Sequence, residues 1–117
     1  MNIQDLLKAE IGGYEKRTWT GELGGQKVTF CSKPLNSADI TAVCRKYPDF
    51  MTQPQPAAMA YIIARKATDG EGNKLFPDGN DRLLRELHVA IIGDMFSSLF
   101  GDDFDEDEIT VEAKEKN

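Results

Sequence analysis

The sequence predicts a mainly helical α+β fold: an N-terminal antiparallel β-hairpin packed on three or four helices, with an acidic, disordered C-terminal tail. Three observations carry this expectation. From Ala57 to Ala64 the chain has no charged or strongly polar side chain, and four of those residues are alanine, the best helix former. Upstream, two runs of strand-forming residues flank Gly24-Gly25, a hairpin turn signal. Finally, charge is divided unevenly. Residues 102–117 hold eight acids and two bases, whereas the first 101 residues balance at twelve of each, so the tail carries the whole net charge of −6. The expected organisation is one globular domain over 1–101 and a flexible tail over 102–117, since 117 residues suit a single core.

Residues 2–10 read as a short helix with Ile3, Leu6 and Leu7 on one face, broken by Ile11-Gly12-Gly13. So short a helix is marginal alone and is expected to dock. Tyr14 to Leu23 reads as the first strand and Gln26 to Lys33 as the second. In the second, Val28 and Phe30 alternate with Lys27, Thr29 and Cys31, giving one apolar face. A two-stranded hairpin must pack on helices or pair with another chain, so a homo-oligomer is compatible with the sequence.

Asn36 is a good N-cap with Asp39 three residues on, and Leu35 and Ile40 stand where a hydrophobic staple places them. Ile40, Val43, Cys44 and Tyr47 then follow helical spacing until Pro48. Asp49 to Gln55 reads as a linker. Pro56 starts the central helix, apolar on every side and expected to be buried on most faces, with Asp69-Gly70 as its stop. Eight apolar residues in a row are far too few to span a bilayer. Residues 69–80 are turn chemistry in which Leu75-Phe76 is expected to plug the core. A last helix, capped by Asp78 or Asn80, carries Leu83, Leu84, Leu87 and Ile91, then Ile92, Met95, Phe96, Leu99 and Phe100. Gly93 is its expected kink or break, and Gly101 its end.

Little in the sequence points to catalysis. Asp69, Glu71 and Asn73 imitate a calcium loop, but Lys74 stands where such a loop needs glycine and Asn80 where it needs a bidentate acid. A plain acidic turn fits better. Cys31, Cys44 and the single histidine, His88, form no recognisable nucleophile–base set. The cysteines match no zinc spacing and read as two small buried thiols in a reducing compartment. There is no phosphate-binding glycine loop and no paired metal-ligand motif. The expectation is no enzyme, no cofactor and no metal. A neutral body with an acidic tail also argues against nucleic acid as a partner. Met1-Asn2-Ile3-Gln4-Asp5 lacks the basic-then-apolar pattern of a signal peptide, which predicts a cytoplasmic location. Met95, Phe96, Leu99 and Phe100 read first as core and Trp19 as either core or an exposed anchor; as a dense apolar set they are also the candidate partner-binding residues.

Trp19-Thr20-Gly21, Val28-Thr29-Phe30 and Lys33-Pro34-Leu35-Asn36 with Asp39 resemble the opening of the tail assembly chaperones of long-tailed, siphophage-type bacteriophages and prophages. The alanine-rich helix running into Asp69-Gly70-Glu71-Gly72 with Leu75-Phe76 is similar to their middle, and the leucine-rich helix with its charged tail to their end. The resemblance spans residues 14 to 100. It implies a non-enzymatic factor that binds the tape measure protein in the host cytoplasm, keeps it soluble for tail-tube assembly and is absent from the mature virion. It also implies a longer product, made by ribosomal frameshifting, that recruits tail-tube protein. Glu115-Lys116-Asn117 can be encoded by a slippery run such as A-AAA-AAC; a GAG or AAG codon at Glu115 or Lys116 in the gene would remove it. A second reading is a small acidic inhibitor occupying a basic site on a nuclease or DNA-binding enzyme. Deleting residues 102–117 separates the two, because an inhibitor loses binding and a chaperone keeps its apolar contacts.

Overall fold

A computed structural model describes residues 2–104. The elements run α1 (Ile3–Gly12), β1 (Arg17–Leu23), β2 (Gln26–Ser32), α2 (Ser37–Lys46), α3 (Pro56–Lys66), α4 (Arg82–Arg85), α5 (Val89–Phe100) and a 3-10 turn, Gly101–Asp103. This is the α+β arrangement that the sequence predicts, with one antiparallel hairpin near the N-terminus and helices after it.

The hairpin closes through Gly24 and Gly25, both at positive φ (60° and 80°), as a two-residue turn matching strand twist requires. Its register pairs Leu23 with Gln26 and Trp19 with Phe30. The Trp19 and Phe30 rings meet edge to face at 5.5 Å, a geometry that adds to simple burial. Trp19 Nε1 donates to Asp94 Oδ2 at 2.7 Å, which ties the hairpin to α5. The indole also lies against Gly21, where a Cβ would meet Trp19 Cζ2 at 2.5 Å. Gly21→Ala is therefore expected to displace the indole and destabilise by about 1–3 kcal/mol. A shift in Trp19 fluorescence, with a lower urea midpoint, would check this.

Helix α3 is the hub, packing against α2, α4 and α5. Ala58, Ala60, Ile62, Ile63 and Ala64 are buried along it. Its alanines let neighbouring backbones approach. It ends at Ala67, two residues before the expected stop, and Gly72, not Gly70, takes the positive φ of the following loop. Of the expected plug, Phe76 packs edge-on against Phe30 at 6.1 Å, while Leu75 is exposed.

Several expectations need correction. The observed strands are shorter than expected, starting at Arg17 and ending at Ser32. Cys31 and Ser32 are buried although they fall on both faces of β2, because Thr68 pairs with Cys31 through two backbone hydrogen bonds and covers that end. Cys31 is buried but Cys44 only half so. The last helix is two helices. The chain breaks at Glu86–His88 and runs unbroken through Gly93, with His88 Nδ1 accepting from Ala90 N at 3.0 Å as the cap of α5. Asn80 Oδ1 accepts from Arg82 N at the start of α4.

The segment 49–55 is more than a linker. Phe50 is fully buried within it. The globular body also continues past Gly101. Asp103 accepts from Arg17 Nη1 and from Leu35 N, and the Phe104 ring lies 5.6 Å from those of Phe50 and Phe96. Expectations for the tail beyond Phe104, its mobility and its codon run, lie outside the described residues.

Candidate functional site

Helix α1 is amphipathic, and among the described residues its apolar face is uncovered. Asn2 caps it, accepting from Asp5 N at 2.8 Å. Ile3, Leu6, Leu7 and Ile11 then recur at helical spacing and form one stripe, with Glu10 in the same sector towards the C-terminal end. The helix extends to Gly12, two residues beyond the expected end, so Ile11 belongs to the stripe rather than to the break. No residue of α1 is buried, and the four stripe residues are 49–69% exposed. The expected docking onto the body therefore does not occur within the described residues. Four large aliphatic side chains on a ten-residue helix, too short to be stable alone, form an apolar surface that no other described residue covers.

The sequence-derived partner residues lie elsewhere. Met95, Leu99 and Phe100 are fully buried, and Phe96 and Trp19 are nearly so. All five belong to one core cluster with Ile62, Ile63 and Phe50. Their apolar density reflects the interior of α5 and its contact with the hairpin, so in the folded chain they have almost no surface to offer a partner. Beside them, Phe50, Met51, Pro54, Met59, Phe96 and Phe104 line an open apolar groove of about 320 Å³.

A second feature is polar. Asn36 and Asp39 form a reciprocal capping box at the start of α2. The Asp39 carboxylate is also buried and accepts from Arg65 Nε at 2.8 Å and Lys66 Nζ at 2.7 Å. Burial pushes its carboxyl upward, but hydrogen bonds from Lys66, Arg65 and Asn36 N outweigh that and hold it below its ordinary value. The same pairing raises Arg65. These residues form one wall of an open cleft of about 520 Å³, lined by Lys16, Lys33, Asp39, Arg65, Lys66, Thr68, Gly72 and Lys74.

Comparison with protein-family models, curated proteins and solved structures finds no match. Among the described residues, no group of three or more His, Cys, Asp or Glu side chains could hold a metal ion, and no helix is long and apolar enough to cross a membrane. The loop that imitates a calcium site is closed on itself. Asp69 accepts from Glu71 N, Asn73 N and Asn73 Nδ2, and these bonds, that from Asn73 N foremost, hold its exposed carboxyl below the ordinary value.

Asp39 gives the fold an acid limb. Its folded value lies below the usual carboxylate value of about 3.9, so the unfolded chain takes up the proton first. The stabilisation is complete above that ordinary value and is lost as pH falls through the lower folded one. Asp39→Asn is expected to cost about 1–3 kcal/mol at neutral pH, with Arg65, over a third exposed, contributing less than Lys66. Urea unfolding of both proteins should show this gap closing below about pH 4. A gap independent of pH would rule out the charged pairing as its source.

Proposed function

We propose that the protein is a phage tail assembly chaperone that binds the tape measure protein and keeps it soluble for tail-tube assembly, without enzymatic activity. The observation that supports this reading is the uncovered stripe Ile3, Leu6, Leu7 and Ile11 on α1. An amphipathic helix binds a helical client through anchors at this spacing, and a client long and apolar enough to aggregate alone is what such a surface suits. The binding surface is thereby moved from the buried α5 cluster to the N-terminal helix. The work is done in the bacterial cytoplasm, and a frameshifted longer product would bring tail-tube protein to the same client.

Coexpression with the long helical tape measure protein encoded in the same genome tests this. The expected result is a soluble complex that elutes together. Leu6→Asp with Leu7→Asp is expected to weaken the complex at least tenfold while changing the chain's own stability by no more than about 0.5 kcal/mol, the usual range for surface sites. A client that stays equally insoluble, or a complex indifferent to the double substitution, would sink the reading.

A further inference from the structure

The cleft beside Asp39 holds more positive charge than the body neutralises. Five cations line it, against one carboxylate. Asp39 takes Arg65 and Lys66. The other three, Lys16, Lys33 and Lys74, have no carboxylate within ion-pair distance among the described residues. They are instead held by backbone carbonyls: Lys16 Nζ donates to Gly70 O at 2.9 Å, Lys33 Nζ to Tyr14 O at 2.7 Å and Lys74 Nζ to Arg65 O at 3.3 Å. Each ammonium thus keeps unused donors at a fixed place on the cleft wall. Asp69, in the loop that contributes Gly72 to the cleft, is turned into that loop by Glu71 N and Asn73 N.

The chain supplies a matching polyanion, and its last polar anchor on the body is held by neighbours in sequence of two of these lysines. Asp103 is held by Arg17, the neighbour of Lys16, and by Leu35 N, two residues from Lys33. Residues 105–117 follow, with six acids and two bases. Thirteen residues reach about 40 Å when extended, ample for a return to Lys16 and Lys33. A segment joined to the body by a short connection meets the cleft at an effective concentration of about millimolar, so weak individual ion pairs suffice. A free polyanion such as nucleic acid meets a chain of net charge −6 and is repelled at long range.

We propose that this cleft is a binding site for a carboxylate-rich peptide segment, and that its occupant is the chain's own residues 105–117, bound in cis. Bound there, the tail cancels the charge of Lys16, Lys33 and Lys74 and covers the open side of the Asp39 pairing. The proposal stands apart from the chaperone reading, because it uses other residues and no client.

Backbone amide NMR of the full chain tests it. Between about 20 mM and about 500 mM salt, where screening shortens severalfold, the resonances of Lys33, Thr68, Gly72 and Lys74 are expected to move. In a full-length variant carrying Asp105→Asn, Glu106→Gln, Asp107→Asn and Glu108→Gln they are expected to sit near their high-salt positions already at low salt. A synthetic peptide of residues 105–117 should then shift the same resonances of that variant saturably. Lys33→Glu with Lys74→Glu should abolish the effect while leaving core resonances in place. Cleft resonances identical in the wild type and the neutralised variant at low salt would overturn the proposal. So would peptide shifts that never saturate, or inorganic phosphate or an RNA oligonucleotide binding the cleft more than tenfold tighter than the peptide. Loss of the wild-type effect on twentyfold dilution would overturn binding in cis and assign the tail to a second copy.

Discussion

Phe50→Ala is expected to cost about 3–5 kcal/mol, the range for removing a buried phenylalanine. Phe50 is 1% exposed and meets Phe104 edge to face at 5.6 Å and Phe96 at 6.3 Å. It is held in place by a turn in which Phe50 N donates to Tyr47 O and Gln53 N to Asp49 O. Truncation opens a void continuous with the apolar groove lined by Met51, Pro54 and Met59 and removes one of the two rings that hold Phe104. Against a total stability of about 5–15 kcal/mol for a domain, the variant should unfold at a much lower urea concentration. A loss of about 0.5 kcal/mol or less, the surface range, would show that the ring is not part of the core.

Ile63→Ala is expected to cost about 2–5 kcal/mol. Ile63 is fully buried on α3, the helix that touches α2, α4 and α5. Its neighbours along the helix include Ala60, Ala64 and Ala67, which have no side chain to swing into the space. These neighbours cannot fill the cavity with their own side chains, which favours a cost well above the surface range. Ile63→Val leaves most of the volume filled and should cost only about 0.5–1.5 kcal/mol. Equal midpoints for the two variants would mean that the site collapses freely and that α3 is not rigid.

The parts of this fold that were legible in the sequence are local. Gly24-Gly25, the Asn36–Asp39 box and the alanine-rich run each contain their own cause within a few residues, and each formed. Partners far apart in the chain were hidden. Asp39 reads as a helix-capping acid, and nothing nearby announces Arg65 and Lys66, 26 and 27 residues away. Phe50 lies in a polar, proline-flanked segment whose composition describes its backbone but not the single ring that turns inward. His88 is not among the usual capping residues. Leu83, Leu84, Leu87 and Ile91 keep helical spacing across the break, so the pattern masked it. For the candidate surface, the stripe Ile3, Leu6 and Leu7 could be read directly. Periodicity says that a face needs covering and is silent on what covers it, which is why docking onto the body was expected. The cluster Met95, Phe96, Leu99 and Phe100 reads first as core and packs as core, although core and interface share one composition.

The pairing of Arg17 and Leu35 with Asp103 links positions 86 and 68 residues apart. During synthesis, which runs at about 5–20 residues per second, the hairpin is complete long before its C-terminal anchor exists. Trp19 must likewise wait for Asp94, 75 residues later. Helix α1 shows no such dependence on the described residues made after it, since none of its own residues is buried. On the ribosome, the contacts that fix the hairpin to the body therefore close only once residue 103 has emerged.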